Sequence, residues 1–107
     1  MNRINQITTL INNCQCVYDV GSDHALLAIA LLKNKQTRKV VNIDINYKPL
    51  KAGLINLAKK HLTTKTLNVE NNGLRNISKK VRLQPDYICI TGLGARTIID
   101  IIESRDP

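Results

Sequence analysis

Aromatic side chains are almost absent from this sequence, which has three Tyr and neither Phe nor Trp in 107 residues. Base stacking on aromatic platforms is therefore a poor candidate for its main mode of nucleic-acid contact. Cysteine is sparse and odd in number, at Cys14, Cys16 and Cys89. With no disulfide framework, this points to a reducing compartment. Cys14 and Cys16 straddle the start of an expected strand and should face opposite ways, which is poor geometry for a shared disulfide or metal. Cys89 sits in an apolar run and reads as a small core residue. No apolar run is long enough to span a bilayer and no signal peptide is visible, so we expect a soluble, cytoplasmic protein. His24 and His61 have no companions at ligand spacing, so no zinc site is expected. A G-x-x-x-x-G-K-[ST] phosphate loop is absent.

Acids are also few, eight against sixteen Lys and Arg, for a formal net charge of +8. The bias is concentrated between Lys33 and Arg82, where Asp44 and Glu70 are the sole acids. A field of that sign attracts polyanions and makes their binding salt-dependent. The same lysines also serve simply to solvate outer helix faces.

What is present is an alternation of short β-branched runs and apolar helical segments. Ile4, Ile7, Leu10 and Ile11 recur at helical spacing and predict a first helix over Asn2 to Asn12. Val17 to Val20 is the first strand. Ser22 or Asp23 then caps a helix running to about Lys33, apolar all round from Ala25 to Leu32 and hence covered on both sides. Lys39 to Asp44 is a second strand. Asn46 caps the next helix, with Pro49 tolerated in its first turn and Leu50, Leu54, Leu57 and Ala58 on its inner face. Thr66 to Glu70 forms a third strand, Asn71-Asn72-Gly73 a turn, and Leu74 to Lys80 a helical turn. Asp86 to Thr91 is the fourth strand, and Ile98, Ile99, Ile101 and Ile102 belong to a final helix. Strands alternating with helices imply an α/β, doubly wound parallel sheet with right-handed crossovers. We expect about four parallel strands in a single domain over 1–107. The chain reaches Arg105-Asp106-Pro107 directly after the fourth unit, so one sheet edge would lack its neighbour. We expect either a piece of a longer domain, the favoured reading, or self-association through the open edge.

The functional signal lies in Val17-Tyr18-Asp19-Val20-Gly21-Ser22-Asp23-His24-Ala25. It reads as a strand, a tight turn and a helix start, the place where open α/β sheets bind ligands. Asp44 follows Gly21 at close to the interval expected for a ribose-binding acid. Asp19 can accept a hydrogen bond from an amine or a water, while Gly21 allows close backbone approach. Asn72 and Gly73 could flank an adenine, with Gly92 and Gly94 as the opposite wall. Neither glycine turn completes G-x-G-x-x-G, which weakens NAD or FAD binding. His24, at a helix start, reads as a capping residue rather than a general base. Each of these glycines and acids also serves as an ordinary turn residue or cap.

These residues resemble the bacterial tRNA (adenine(22)-N1)-methyltransferases, the TrmK-like family. Asp19 to Ala25 is similar to its Asp-hydrophobic-Gly-Ser-Asp-His-Ala signature, Asp44 and Pro49 to its acid and proline, and Asn72-Gly73-Leu74 to its Asn/Asp-Gly-Leu turn. Asp86 to Ala95 resembles Asp-x-Ile-x-Ile-Ala-Gly-Met-Gly-Gly, with Thr91, Leu93 and Ala95 as departures. The resemblance covers almost the whole chain but the first half of the family's length, the amino-terminal half of a class I methyltransferase domain. It implies S-adenosyl-L-methionine as cofactor, with Asp19, Gly21, Asp23, His24, Asp44, Asn72, Gly73 and Gly92 binding it. It further implies methyl transfer to N1 of an adenine in tRNA, a substrate pocket near Thr91, Leu93, Gly94 and Ala95, and tRNA phosphates along the basic span. No residue is assigned as catalytic: neutral adenine N1 carries its own lone pair. The alternatives are a non-catalytic Rossmann-like module for a nucleotide, RNA or protein partner, and a class I methyltransferase with another substrate.

Overall fold

The computed structural model describes residues 3–93 and 96–101. Five strands form one sheet in the order β3-β2-β1-β4-β5. The first four, β1 (Cys14–Val20), β2 (Thr37–Asp44), β3 (Thr66–Glu70) and β4 (Tyr87–Leu93), run parallel. The central strands are buried on both faces, which explains their near-continuous apolar runs. Three α-helices belong to the described chain: α1 (Arg3–Thr8), α2 (Leu26–Lys33) and α3 (Tyr47–Lys59).

The core lies on both faces of the sheet. One cluster joins Val17, Val40 and Cys89 to Ile7 and Ile11, to Leu27 and Leu31 of α2, and to Leu57 of α3. The other joins Cys16, Tyr18, Val41 and Ile43 to Val81, with Leu74 and Ile77 of the loop before β4 packed against it. Cys14 packs against the first cluster and Cys16 lies in the second, so the two thiols face opposite sides as expected.

Several elements differ from the sequence reading. The described part of α1 ends at Thr8, because Gln36 Nε2 donates to the carbonyls of Thr8 and Ile11 and draws the chain off the helix. Leu10, expected on the inner face, is therefore 58% exposed. On α2, Leu26 is exposed, so that helix is not covered all round. On α3, Leu50 and Leu57 are buried, but Leu54 and Ala58 face solvent and Gly53 takes the inner position.

The largest departure concerns the final helix. Arg96–Ile101 is instead β5, antiparallel to β4, with Ile98 opposite Ile90 and Ile99 opposite Cys89. Thr97, Ile98, Ile99 and Ile101 are β-branched and suit a strand at least as well as a helix. Pairing them with β4 also covers the edge expected to be bare. Asn2 and Ile102, placed in helices by the sequence reading, lie outside the described residues.

Candidate functional site

The chain leaves β1 through Gly21, whose φ of 76° lies in the left-handed region that glycine occupies without strain. Gly21 N–H donates to Ile43 O at 2.7 Å, tying the turn to β2. Ser22 is buried, and its carbonyl accepts from Ala25 N–H at 2.9 Å to close a 3-10 turn over Asp23–Ala25. His24 and Ala25 both take left-handed backbone angles, φ 58° and 63°. Consecutive non-glycine residues there are costly and persist when surrounding packing enforces them. Here α3 does so. Gly53 allows Ala25 to pack against the helix, and Asn56 Nδ2 donates to His24 O at 3.0 Å. The extra turn moves the start of α2 to Leu26, so Ala25 rather than Ser22 or Asp23 is its N-cap, with no side-chain cap bond.

At the carboxyl end of β2, Asp44 is half-buried. Its Oδ1 accepts from Asn46 N–H at 3.0 Å, and its carbonyl accepts from Asn71 N–H at 2.8 Å. Asn46 is the N-cap of α3 as expected but makes no side-chain cap bond; its backbone N–H is held by the Asp44 carboxylate. Asp44 Oδ2 takes no hydrogen bond among the described residues, which leaves an acceptor at the strand end.

Beyond β3, the residue that organises the turn is Asn71. It is buried, and its Nδ2 donates to Gly73 O at 2.8 Å and Arg75 O at 2.9 Å. The sequence places Asn71 in this turn, as expected, but the expected site roles fall on its neighbours Asn72 and Gly73. Asn72 is exposed, and Gly73 has a φ of 58° with open space where a Cβ would stand. Asn71 thus holds a turn that displays Asn72 and Gly73.

Asp19 lies beneath the Gly21 turn with 0% of its surface exposed. It is in register with Asn42 on one side and Cys89 on the other, and Asn42 is in register with Asn68. A polar row therefore crosses the sheet just below the strand ends. Asn42 Nδ2 donates to Asn68 Oδ1 at 3.0 Å, and Asn68 Nδ2 to Thr66 Oγ1 at 3.1 Å. The signal for this row was an Asn interrupting the apolar run Val40-Val41-Asn42-Ile43. The Cys89 thiol is pushed up to about 12, by burial first and then by the nearby Asp19 and Cys14. It is a neutral thiol at physiological pH.

Val20 pairs with Ile90, which sets Thr91 and Gly92 level with the Gly21 turn. Thr91, Gly92 and Leu93 lie in β4; Gly94 and Ala95 lie outside the described residues. Asp23 sits in the 3-10 turn beside the exposed His24. The ends of β1, β2, β3 and β4 therefore converge on one edge of the sheet. His61 is remote from it, between the carboxyl end of α3 and the start of β3. No group of three or more His, Cys, Asp or Glu able to hold a metal occurs among the described residues. No described helix is long and apolar enough to cross a membrane.

Comparison with known proteins follows the same outline. A family model described as a methyltransferase domain matches residues 1–107. A Mycoplasma genitalium protein, "Putative tRNA methyltransferase MG248", is 31% identical over 107 residues, spanning 97% of this chain and 47% of the relative. M. capricolum TrmK, solved with S-adenosyl-homocysteine, superposes with a TM-score of 0.79 at 40% identity, over 84% of this chain and 40% of that one. The B. subtilis m1A22 tRNA methyltransferase TrmK gives a TM-score of 0.72 at 25% identity, over 83% and 37%. The chain spans less than half the length of each of these relatives. Four parallel strands flanked by helices are the scaffold that superposes on these solved structures, and the chain belongs to the methyltransferase domain family.

Proposed function

We propose that this chain is the cofactor-binding half of a cytoplasmic S-adenosyl-L-methionine-dependent tRNA methyltransferase acting on N1 of adenine 22. The observation that carries the reading is the Asp44 carboxylate at the end of β2, with Oδ1 turned to its own chain and Oδ2 available, across from the Gly21 turn. The strand ends offer acceptors and a close backbone approach rather than the ring of N–H donors that a pyrophosphate requires. Such a site suits a ligand with an amine and a ribose diol. The likeness to M. capricolum TrmK, a protein solved with S-adenosyl-homocysteine, supports the same assignment.

S-adenosyl-L-methionine, when bound, supplies an electrophilic methyl group on a sulfonium. In this reading Asp44 accepts the ribose hydroxyls, and the turn at Gly21 to His24 receives the amino-acid end, with Asp19 supporting it from below. Asn72 and Gly73, displayed by Asn71, flank the adenine, and Gly92 forms the facing wall. Thr91, Leu93, Gly94 and Ala95 border the acceptor base. Neutral adenine N1 presents a lone pair, so the residues of the site need align the acceptor and exclude water rather than remove a proton. Because N1 is occupied in Watson–Crick pairing, the target base is read unpaired or extruded.

Isothermal calorimetry of the 107-residue chain with S-adenosyl-L-methionine tests the cofactor assignment, and absence of binding by folded protein overturns it. Incubation with unmodified tRNA, followed by nucleoside mass spectrometry, tests the reaction. Cofactor binding without 1-methyladenosine favours the second reading, a cofactor-binding module that is catalytically competent only with a further polypeptide. The observation behind that reading is the chain's match to less than half of each relative's length.

A further inference from the structure

The basic residues are not spread evenly over the fold. Because α3 runs antiparallel to the strands, its first turn lies at the site edge of the sheet and its last turn at the opposite pole. Lys48, Lys51 and Lys59 are exposed along it, and Lys60 follows at its carboxyl end. From Lys48 to Lys59 the helix rises about 16 Å. At the far pole the line continues into Lys65, before β3, and Arg38, early in β2, both exposed. Lys39 Nζ donates to Thr64 O at 3.1 Å, which holds these two segments side by side. The acids between Lys33 and Arg82 are Asp44 and Glu70, at the ends of β2 and β3 on the site edge. The carboxyl ends of α2 and α3 contribute roughly half a negative charge each at the far pole. Several full positive charges outweigh them.

We infer that the outer face of α3, continued past its carboxyl end by Lys60, Lys65 and Arg38, is a contact track for the sugar–phosphate backbone of RNA leading away from the site. A duplex presents on the order of ten phosphates over the length of α3. The lysines on one rigid helix can each meet one of these phosphates, and such contacts position the nucleic acid without reading its sequence. A second basic cluster, Arg75, Lys79 and Arg82, belongs to the loop that covers the opposite face of the sheet, so one straight backbone cannot lie along both. Leu54 and Ile55 are also exposed on the outer face of α3, between Lys51 and Lys59. They raise an acidic protein as a competing occupant. The identification of the RNA as tRNA rests on the function proposed above; the track itself rests on the charge geometry.

The test compares two variants of the full chain that remove equal charge. One is Lys51→Gln/Lys59→Gln/Lys60→Gln on the track, the other Arg75→Gln/Lys79→Gln/Arg82→Gln on the opposite face. Binding of an unmodified tRNA transcript is followed by fluorescence anisotropy over a series of salt concentrations, and circular dichroism confirms the fold. The track variant should lose on the order of tenfold or more in affinity at 0.1 M salt, with a salt slope lower by about 2 to 3. The other variant should lose clearly less. Equal losses, or a track variant within about twofold of the parent, overturn the proposal. Displacement of the RNA by polyglutamate as effectively as by RNA at matched charge also overturns it. S-adenosyl-L-methionine affinity, read by calorimetry, should be the same in all three proteins. If the parent chain binds no cofactor while the contrast between the variants persists, the cofactor assignment fails and the track stands.

Discussion

Gly53 of α3 lies so close to Ala25 that a Cβ at position 53 would stand 3.1 Å from Ala25 Cβ and 3.3 Å from its backbone nitrogen. A glycine inside a helix costs about 1 kcal/mol relative to alanine. The close approach accounts for that cost, because it lets α3 press on the turn that carries His24 and Ala25 in left-handed conformations. Gly53→Leu should separate helix and turn and destabilise the chain by about 1–3 kcal/mol. Cofactor affinity should fall along with the melting temperature. A variant as stable as the parent, with unchanged affinity, would show that the contact has no such role.

Asp44 separates binding from folding more cleanly. Asp44→Asn keeps an oxygen that can accept from Asn46 N–H, so the start of α3 should survive and the melting temperature should move little. The ribose hydroxyls would lose a charged acceptor, which is worth about 1.5–3 kcal/mol. Calorimetry should therefore show S-adenosyl-L-methionine affinity lower by on the order of tenfold or more. Unchanged affinity would remove Asp44 from the site.

The β and α alternation was legible because it is periodic. Thr66–Glu70 was read residue for residue, and the parallel sheet followed from the order of elements. Features set by tertiary contact were not. Leu54 and Gly53 are adjacent in sequence, and hydrophobicity favours the leucine for the inner face. Proximity to Ala25 decides for the glycine. His24 and Ala25 carry no local signal for positive φ, since the packing of α3 enforces it. The run Thr97 to Ile101 fits either a helix or a strand by composition, and the vacant edge of β4 decides for the strand. In the site, the acids and glycines that would touch a ligand were visible as residue types at strand ends. The groups that hold them, Asn71, Asn56 and the Asn42–Asn68 pair, were not assigned that role, because which carbonyl or side chain each amide reaches is decided by the folded backbone rather than by residue type.

The buried Cys89 makes stability fall at alkaline pH. Its folded value, about 12, lies above the roughly 8.5 of a thiol in an unfolded chain. Below that lower value both states hold the proton and the stabilisation is complete. As pH rises toward 12 the unfolded thiol ionises first, and stability is lost by at most about 1.4 kcal/mol per pH unit from this group. Cys89→Ala has a constant packing cost but lacks this slope. Urea midpoints at pH 8 and pH 10.5 should therefore drop further for the parent than for the variant. Parallel drops would show that Cys89 is not the group responsible.

The neighbouring residues Asn71 and Asn72 should behave in opposite ways. Asn71 is buried and donates to two carbonyls, of Gly73 and Arg75, so Asn71→Ala leaves both without that partner. The loss should be about 1–3 kcal/mol in urea unfolding. Asn72 is exposed and lies on the turn that Asn71 holds, so Asn72→Ala should change stability by less than about 0.5 kcal/mol. If Asn72 flanks the cofactor's adenine, the same substitution should weaken S-adenosyl-L-methionine binding in calorimetry while the unfolding curve stays in place. Asn71→Ala should weaken binding too, but only in step with its loss of stability, because it acts by releasing the turn. An Asn72→Ala variant with full affinity would move the adenine away from this turn, and the facing wall at the end of β4 would then have to hold it alone.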